Sequence, residues 1–152
     1  MIVCRLSKSK YSSDLTGKGA ERSGGRWNNK GVAMIYTGES RALCTTEIAV
    51  HMPLGNIPMD YEIIFIEIPD ASISEFDITT LPEDWRSFPH PHFTREIGDQ
   101  FISDTICLVL KVPSAVVPGD FNYLINPYHK DFSSVKIVEI GSFEFDVRLF
   151  VR

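Results

Sequence analysis

The sequence predicts a strand-dominated α+β fold in a single domain over residues 1–152. Three observations carry that expectation. Short apolar, β-prone runs recur along the chain (VAMIYTG, YEIIFIEIP, TICLVLKVP), each of a length suited to a buried strand. Two segments carry a helical pattern, and strands and helices do not alternate in the rhythm of a doubly wound sheet. A chain of 152 residues, 43% hydrophobic and 23% charged, has enough apolar material for one sizeable core.

Taken in order, MIVCRL (1–6) reads as a short strand whose alternation sets Arg5 on one face and Cys4 on the other. Residues 7–31 are polar and glycine-rich, and long for a loop inside a compact domain, a length that usually serves function. VAMIYTG (32–38) reads as a buried strand. ESRALCTTEIAVHM (39–52) follows as a helix, with Ser40 as its N-cap, Ala42, Leu43, Ile48, Ala49 and Met52 as an apolar stripe, and Pro53 as its stop. YEIIFIEIP (61–69) is a second strand, buried on at least one face. Residues 70–93 are turn-rich, and TREIGDQFIS (94–103) predicts a short helix with an apolar cluster at Ile97, Phe101 and Ile102. TICLVLKVP (105–113) is a strand, the stretch through NYLINPYH a loop, and SSVKIVEIGSFEFDVRLF two strands around Gly141.

Composition excludes several classes. A net charge of −5 disfavours nucleic acid, which rewards a basic field. No apolar run approaches the roughly 18 residues of a membrane span, and MIVCRLSKSK lacks the charge-then-apolar order of a signal peptide. A cytoplasmic protein is expected. Cys4, Cys44 and Cys107 are far apart and sit among apolar neighbours, which predicts buried thiols in a reducing compartment. No Cys/His spacing or HExxH pattern predicts a metal, and PHPH (90–92 with Pro89) reads as a rigid solvated loop.

Two readings stand for GAERSGGRWNNKG (19–31). Glycines admit close approach of backbone N–H groups to an anion and Arg26 adds a bidentate fork, which describes a phosphate cradle. The alternative is a flexible connection whose Trp27 plugs the core edge. The segment is neither GxGxxG nor GxxxxGK[ST], and a strand follows it, so a Rossmann or P-loop fold is disfavoured. Tyr36 lies near the end of a predicted strand. Glu47 belongs either to the wet face of its helix or to a cleft, where its carboxylate would stabilise positive charge. Ser114 follows Pro113 with no GxSxG elbow, so it reads as a turn-former or ligand hydrogen-bonder, not a nucleophile.

Three blocks in this order, GAERSGGRWNNKGVAMIYTGES, ESRALCTTEIAVH and LVLKVPSAVVPGDFNYLINPYH, together with the arginine of CRL, resemble the RES domain family. This is the toxin half of bacterial RES–Xre toxin–antitoxin pairs. The resemblance implies a fold similar to ADP-ribosyltransferases, with a split pair of sheets and an NAD⁺-binding cleft. It implies an enzyme that consumes NAD⁺ by phosphorolysis or hydrolysis of the nicotinamide–ribose bond and arrests growth, or one that transfers ADP-ribose to protein. By position it assigns catalysis to Arg26, Tyr36 and Glu47, and substrate binding to Arg5, Arg26, Tyr36 and Ser114. An Xre-type antitoxin is the implied partner, with no metal. A catalytically silent module whose loop docks a partner is the reading from another class. Trp85 and the PHPH loop receive no role.

Overall fold

A computed structural model describes residues 1–151. Its core is a seven-stranded sheet built from β1 (Ile2–Lys8), β2 (Ile35–Gly38), β3 (Tyr61–Glu67), β4 (Ile73–Glu75), β5 (Val109–Pro113), β6 (Phe121–Ile125) and β7 (Lys136–Phe143). The spatial order is β4-β5-β6-β2-β1-β3-β7, antiparallel except for the parallel β4–β5 pair. The α+β class expected from the sequence is the one observed. β1 pairs along its whole length with β3, from Ile2↔Glu67 to Lys8↔Tyr61, yet meets β2 through the single pair Cys4↔Gly38. The sheet is therefore two halves hinged at one residue pair, in keeping with the split sheets that the resemblance implied.

Each half has its own helix. α2 (Arg41–His51) starts as predicted at Ser40, whose side chain accepts from the Leu43 N–H at 3.1 Å. It buries Leu43 and Cys44; Cys44 packs with Cys4, Leu6 and Ile63, and its thiol donates to the Cys4 carbonyl at 3.2 Å. Ala42, assigned above to the apolar stripe, is exposed, because the buried face turns toward Cys44 instead. α3 (His92–Asp104) packs Phe101 and Ile102 on Leu110, Val112 and Leu124 of the other half. On the opposite face of the sheet, Val3, Ile64, Ile66, Val109 and Ile125 make the remaining core, so β3 is buried on both faces.

Several expectations change. The stretch read as a loop before Asn126 contains β6, a central strand with Tyr123, Leu124 and Ile125 buried. Pro118 and Gly119 just before it hid the strand, because turn residues at a strand's edge look like loop. The two strands expected around Gly141 are one, β7, in which Gly141 pairs with Ile63 without a break. The loop over 7–31 includes a short helix, α1 (Lys18–Ser23), and the turn-rich 70–93 includes β4, an edge strand of three residues. β2 and β5 are shorter than predicted because Val32–Met34 and Thr105–Leu108 lead into them as irregular backbone.

Candidate active site

A cleft of about 1090 Å³ opens over the joint between β1 and β2, at the top of the range for ligand sites. Cys4, Arg5 and Leu6 of β1 and Tyr36 and Gly38 of β2 form part of its lining, and Glu47 and His51 of α2 form another wall. The glycine-rich loop at Gly24–Trp27 closes one side. Arg5, Arg26, Tyr36 and Glu47, separated in sequence, are thus brought to one cavity. Ser114 does not line it but stands directly behind Glu47.

The Ser114 hydroxyl donates to Glu47 Oε1 at 3.0 Å across 67 positions of chain, and it accepts from the Val116 and Val117 N–H groups at 3.1 and 3.0 Å. Ser114 is 2% exposed. With its donor and acceptor capacity spent inside the protein, it fixes one oxygen of the carboxylate and leaves the other for the cavity. Glu47 is half-buried, neither on the wet face of its helix nor lost in the core.

Tyr36 is held just as firmly. Its hydroxyl donates to Asn28 Oδ1 at 2.6 Å and accepts from the Trp27 N–H at 3.0 Å, and burial pushes its pKa well above the usual phenol range. What the side chain offers the cavity is its ring. Gly25 sits against this pair: a Cβ there would lie 2.8 Å from the Tyr36 hydroxyl oxygen and 3.1 Å from Asn28 Oδ1. One function of the glycines is therefore to let the loop lie on the Tyr36–Asn28 bond.

Asn28, read from the sequence as no more than a local turn cap, organises the loop. It is 0% exposed, and its amide donates to the carbonyls of Ala20, Asn29 and Val32 at 2.8, 3.2 and 3.0 Å. Next to it, Asn29 binds both carboxylate oxygens of Asp99 on α3 at 3.0 and 2.7 Å. Trp27 is 2% exposed and packs edge-on against Phe76 and tilted against Trp85, the core anchor expected of it. A signal for Asn28 was present in the sequence: an Asn beside a Trp amid glycines is a side chain suited to satisfy loop carbonyls.

Arg26 points its guanidinium at residues 85–87, donating from Nη1 to the Trp85 and Ser87 carbonyls at 2.8 and 3.1 Å. Burial lowers its pKa, while the negative charge of Glu47 opposes that shift. Arg5 likewise donates to the carbonyls of Asp14 and Tyr11 at 2.7 and 3.3 Å, tying the 9–14 turn to β1. Arg86 returns across the cleft mouth, its Nε donating to the Ala115 carbonyl at 3.1 Å. The 85–90 segment, given no role above, is thus a strap joining the Arg26 loop to the Ser114 loop, and Arg86, Phe88 and His90 line the cleft with it. No spacing or motif in LPEDWRSFPHPHF announced this.

The RES domain family profile matches residues 2–146. The chain belongs to the RES domain family. Relatives over nearly the full length agree. A protein named Toxin Res from Yersinia enterocolitica is 40% identical, covering 98% of this chain and 99% of that protein. The Prs ADP-ribosylating toxin of Sphingobium sp. is 36% identical, covering 91% and 88% respectively. The chain in the crystal structure of the M. tuberculosis MbcT–MbcA toxin–antitoxin complex superposes with a TM-score of 0.74 at 18% identity, over 98% of this chain and 86% of that one. At that identity the match speaks for the RES-family fold. Among the described residues no helix is long and apolar enough to cross a membrane.

Proposed function

We propose that this RES-family protein is the toxin of a toxin–antitoxin pair and cleaves the nicotinamide–ribose bond of NAD⁺. The observation that carries the reading is Glu47, pinned by Ser114 and presented to a large cleft that also holds Tyr36 and Arg26. Cleaving an N-glycosidic bond builds positive charge on the ribose, through an oxocarbenium-like state. A carboxylate fixed beforehand stabilises that charge without reorganising. The nicotinamide leaves neutral from a cationic ring, so no general acid is required and none is assigned.

In this reading Glu47 faces the reacting ribose and the ring of Tyr36 stacks on the nicotinamide. Arg26 and Arg5 are the phosphate ligands the resemblance implies, and each must share its guanidinium with the backbone carbonyls it already binds. Ser114 acts through Glu47 and is a positioning residue. The acceptor is phosphate or water, and NAD⁺ loss in the cytoplasm arrests growth. An Xre-type antitoxin is the matching partner, acting by covering the cleft. A second reading, transfer of ADP-ribose to a protein, is favoured by the relative named as an ADP-ribosylating toxin.

The experiment is direct. Purified protein is given NAD⁺ with and without inorganic phosphate, and products are identified by mass spectrometry, alongside lysate with labelled NAD⁺ to reveal any modified protein band. Glu47→Ala and Glu47→Gln should each slow NAD⁺ loss by about 10²-fold or more. Wild-type rates in both variants would remove Glu47 from the mechanism, and no turnover by the wild type would leave a partner-binding module.

A further inference from the structure

The strap that closes the cleft sets Arg86 and His90 on its wall, and Arg86 makes no ion pair among the described residues. His90 lines the cavity, its ring edge-on to His51 of α2 (centroids 6.4 Å apart, 81° between planes) and to Phe88 (5.3 Å, 86°). Its Nδ1 is buried and has no hydrogen-bond partner. The same holds for Nε of Arg95, one turn into α3; both are unsatisfied buried nitrogens among the described residues. A buried polar atom left unpaired costs free energy, and at a cavity wall that cost is recovered when a ligand supplies the partner. Arg86 spends Nε on Ala115, and its two terminal nitrogens meet no protein acceptor among the described residues.

The geometry points to a phosphate subsite made by Arg86 and His90 on the strap, with His51 beside them on α2. The ligand class follows from charge. The groups whose fields reach His90 are Arg26 from the glycine-rich loop, His51 from α2 and Arg95 from α3, all cationic when charged. Burial first, and then these charges, push His90 down to about 4, so the unliganded imidazole is neutral at physiological pH. Glu47 is a carboxylate on the same cleft, but its charge acts on Arg26. An anion at this point offsets the charge of Arg26 and Arg95, accepts from the free guanidinium nitrogens of Arg86 and favours the imidazolium, so His90 takes up a proton as the anion binds.

The subsite also adds phosphate donors beside Arg26, whose guanidinium is shared with the Trp85 and Ser87 carbonyls of the strap. The inference rests on the NAD⁺ reading for the source of the phosphate alone. That source is the diphosphate of the dinucleotide or an inorganic phosphate acceptor.

The test follows His90 and His51 ring nitrogens by NMR while the full chain is titrated with pH, alone and saturated with inorganic pyrophosphate or with inorganic phosphate. The midpoint of His90 should rise by at least about one pH unit with the ligand, which by linkage is at least tenfold tighter binding to the protonated form. Calorimetry should show pyrophosphate binding weakened about tenfold or more by Arg86→Gln, and its proton uptake abolished by His90→Gln. A response to phosphate alone assigns the subsite to the acceptor; a response confined to pyrophosphate assigns it to the dinucleotide. An unmoved His90 midpoint with both anions, or unchanged affinity in both variants, overturns the proposal. Pyrophosphate bound at His90 in a protein that leaves NAD⁺ intact would sink the reaction and keep the subsite.

Discussion

Asn28 and Tyr36 should behave as one unit, because their shared hydrogen bond at 2.6 Å holds a fully buried amide and a phenol together behind the cleft. Asn28→Ala removes that bond together with the amide donor to the carbonyls of Ala20 and Val32. A net loss of about 1 kcal/mol for each well-formed bond, plus desolvated partners, amounts to about 3 kcal/mol. Tyr36→Phe keeps the ring but strands the Trp27 N–H and Asn28 Oδ1, for about 2 kcal/mol. The double variant loses the shared bond once. It should therefore be more stable than the sum of the single effects predicts, by about 1 kcal/mol. Urea denaturation with linear extrapolation measures all four proteins. Effects that add to within about 0.5 kcal/mol would show that Asn28 and Tyr36 act independently, and an Asn28→Ala cost below about 1 kcal/mol would show that the loop does not depend on its amide.

Three further outcomes are expected. Gly98→Ala should cost at least about 3 kcal/mol in the same denaturation assay, since its Cβ would fall 1.5 Å from the Trp27 carbonyl oxygen and neither backbone can move aside cheaply. Ser114→Ala should destabilise by about 1–3 kcal/mol through the unsatisfied Val116 and Val117 N–H groups. It should also lower the rate of NAD⁺ loss while leaving its KM nearly unchanged, because the hydroxyl acts on Glu47; a raised KM at a normal rate would return Ser114 to substrate binding. Burial pushes the Cys44 thiol up to about 12 and also raises Cys4, so neither should react with a disulfide reagent near neutral pH until the protein unfolds. Rapid native labelling of Cys44, read by mass spectrometry, would contradict the packing of α2 on β1.

Much of this fold is decided by signals that act within a few residues of chain. The apolar runs gave β2, β3 and β5, since a stretch such as YEIIFIEIP has no other way to satisfy both its backbone and its side chains. Ser40 and Pro53 bounded α2 because capping and helix termination are decided within a few residues. Three motif blocks in a specific order, together with the arginine of CRL, were enough to indicate the family and to single out Arg5, Arg26, Tyr36, Glu47 and Ser114. Where signals were local but misleading, the reading failed. Pro118 and Gly119 disguised β6, and Gly141 looked like a break because a glycine in a strand resembles a turn until its partner, Ile63, is known.

What only the tertiary structure decided is which groups the site residues touch. Nothing near Ser114 in the chain shows that its hydroxyl will meet Glu47, nor anything near Arg26 that its guanidinium will meet the carbonyls of Trp85 and Ser87. Those contacts span 59 to 67 positions and exist because β2, β6 and β5 lie side by side while α2 and the strap close over them. A hydrogen bond is satisfied by whatever the fold brings within about 3 Å, and sequence patterns report a residue's chemistry without its neighbours. The sequence therefore named Arg5, Arg26, Tyr36, Glu47 and Ser114, and the packing of the two half-sheets decided which of them line the cleft and which hold the others in place.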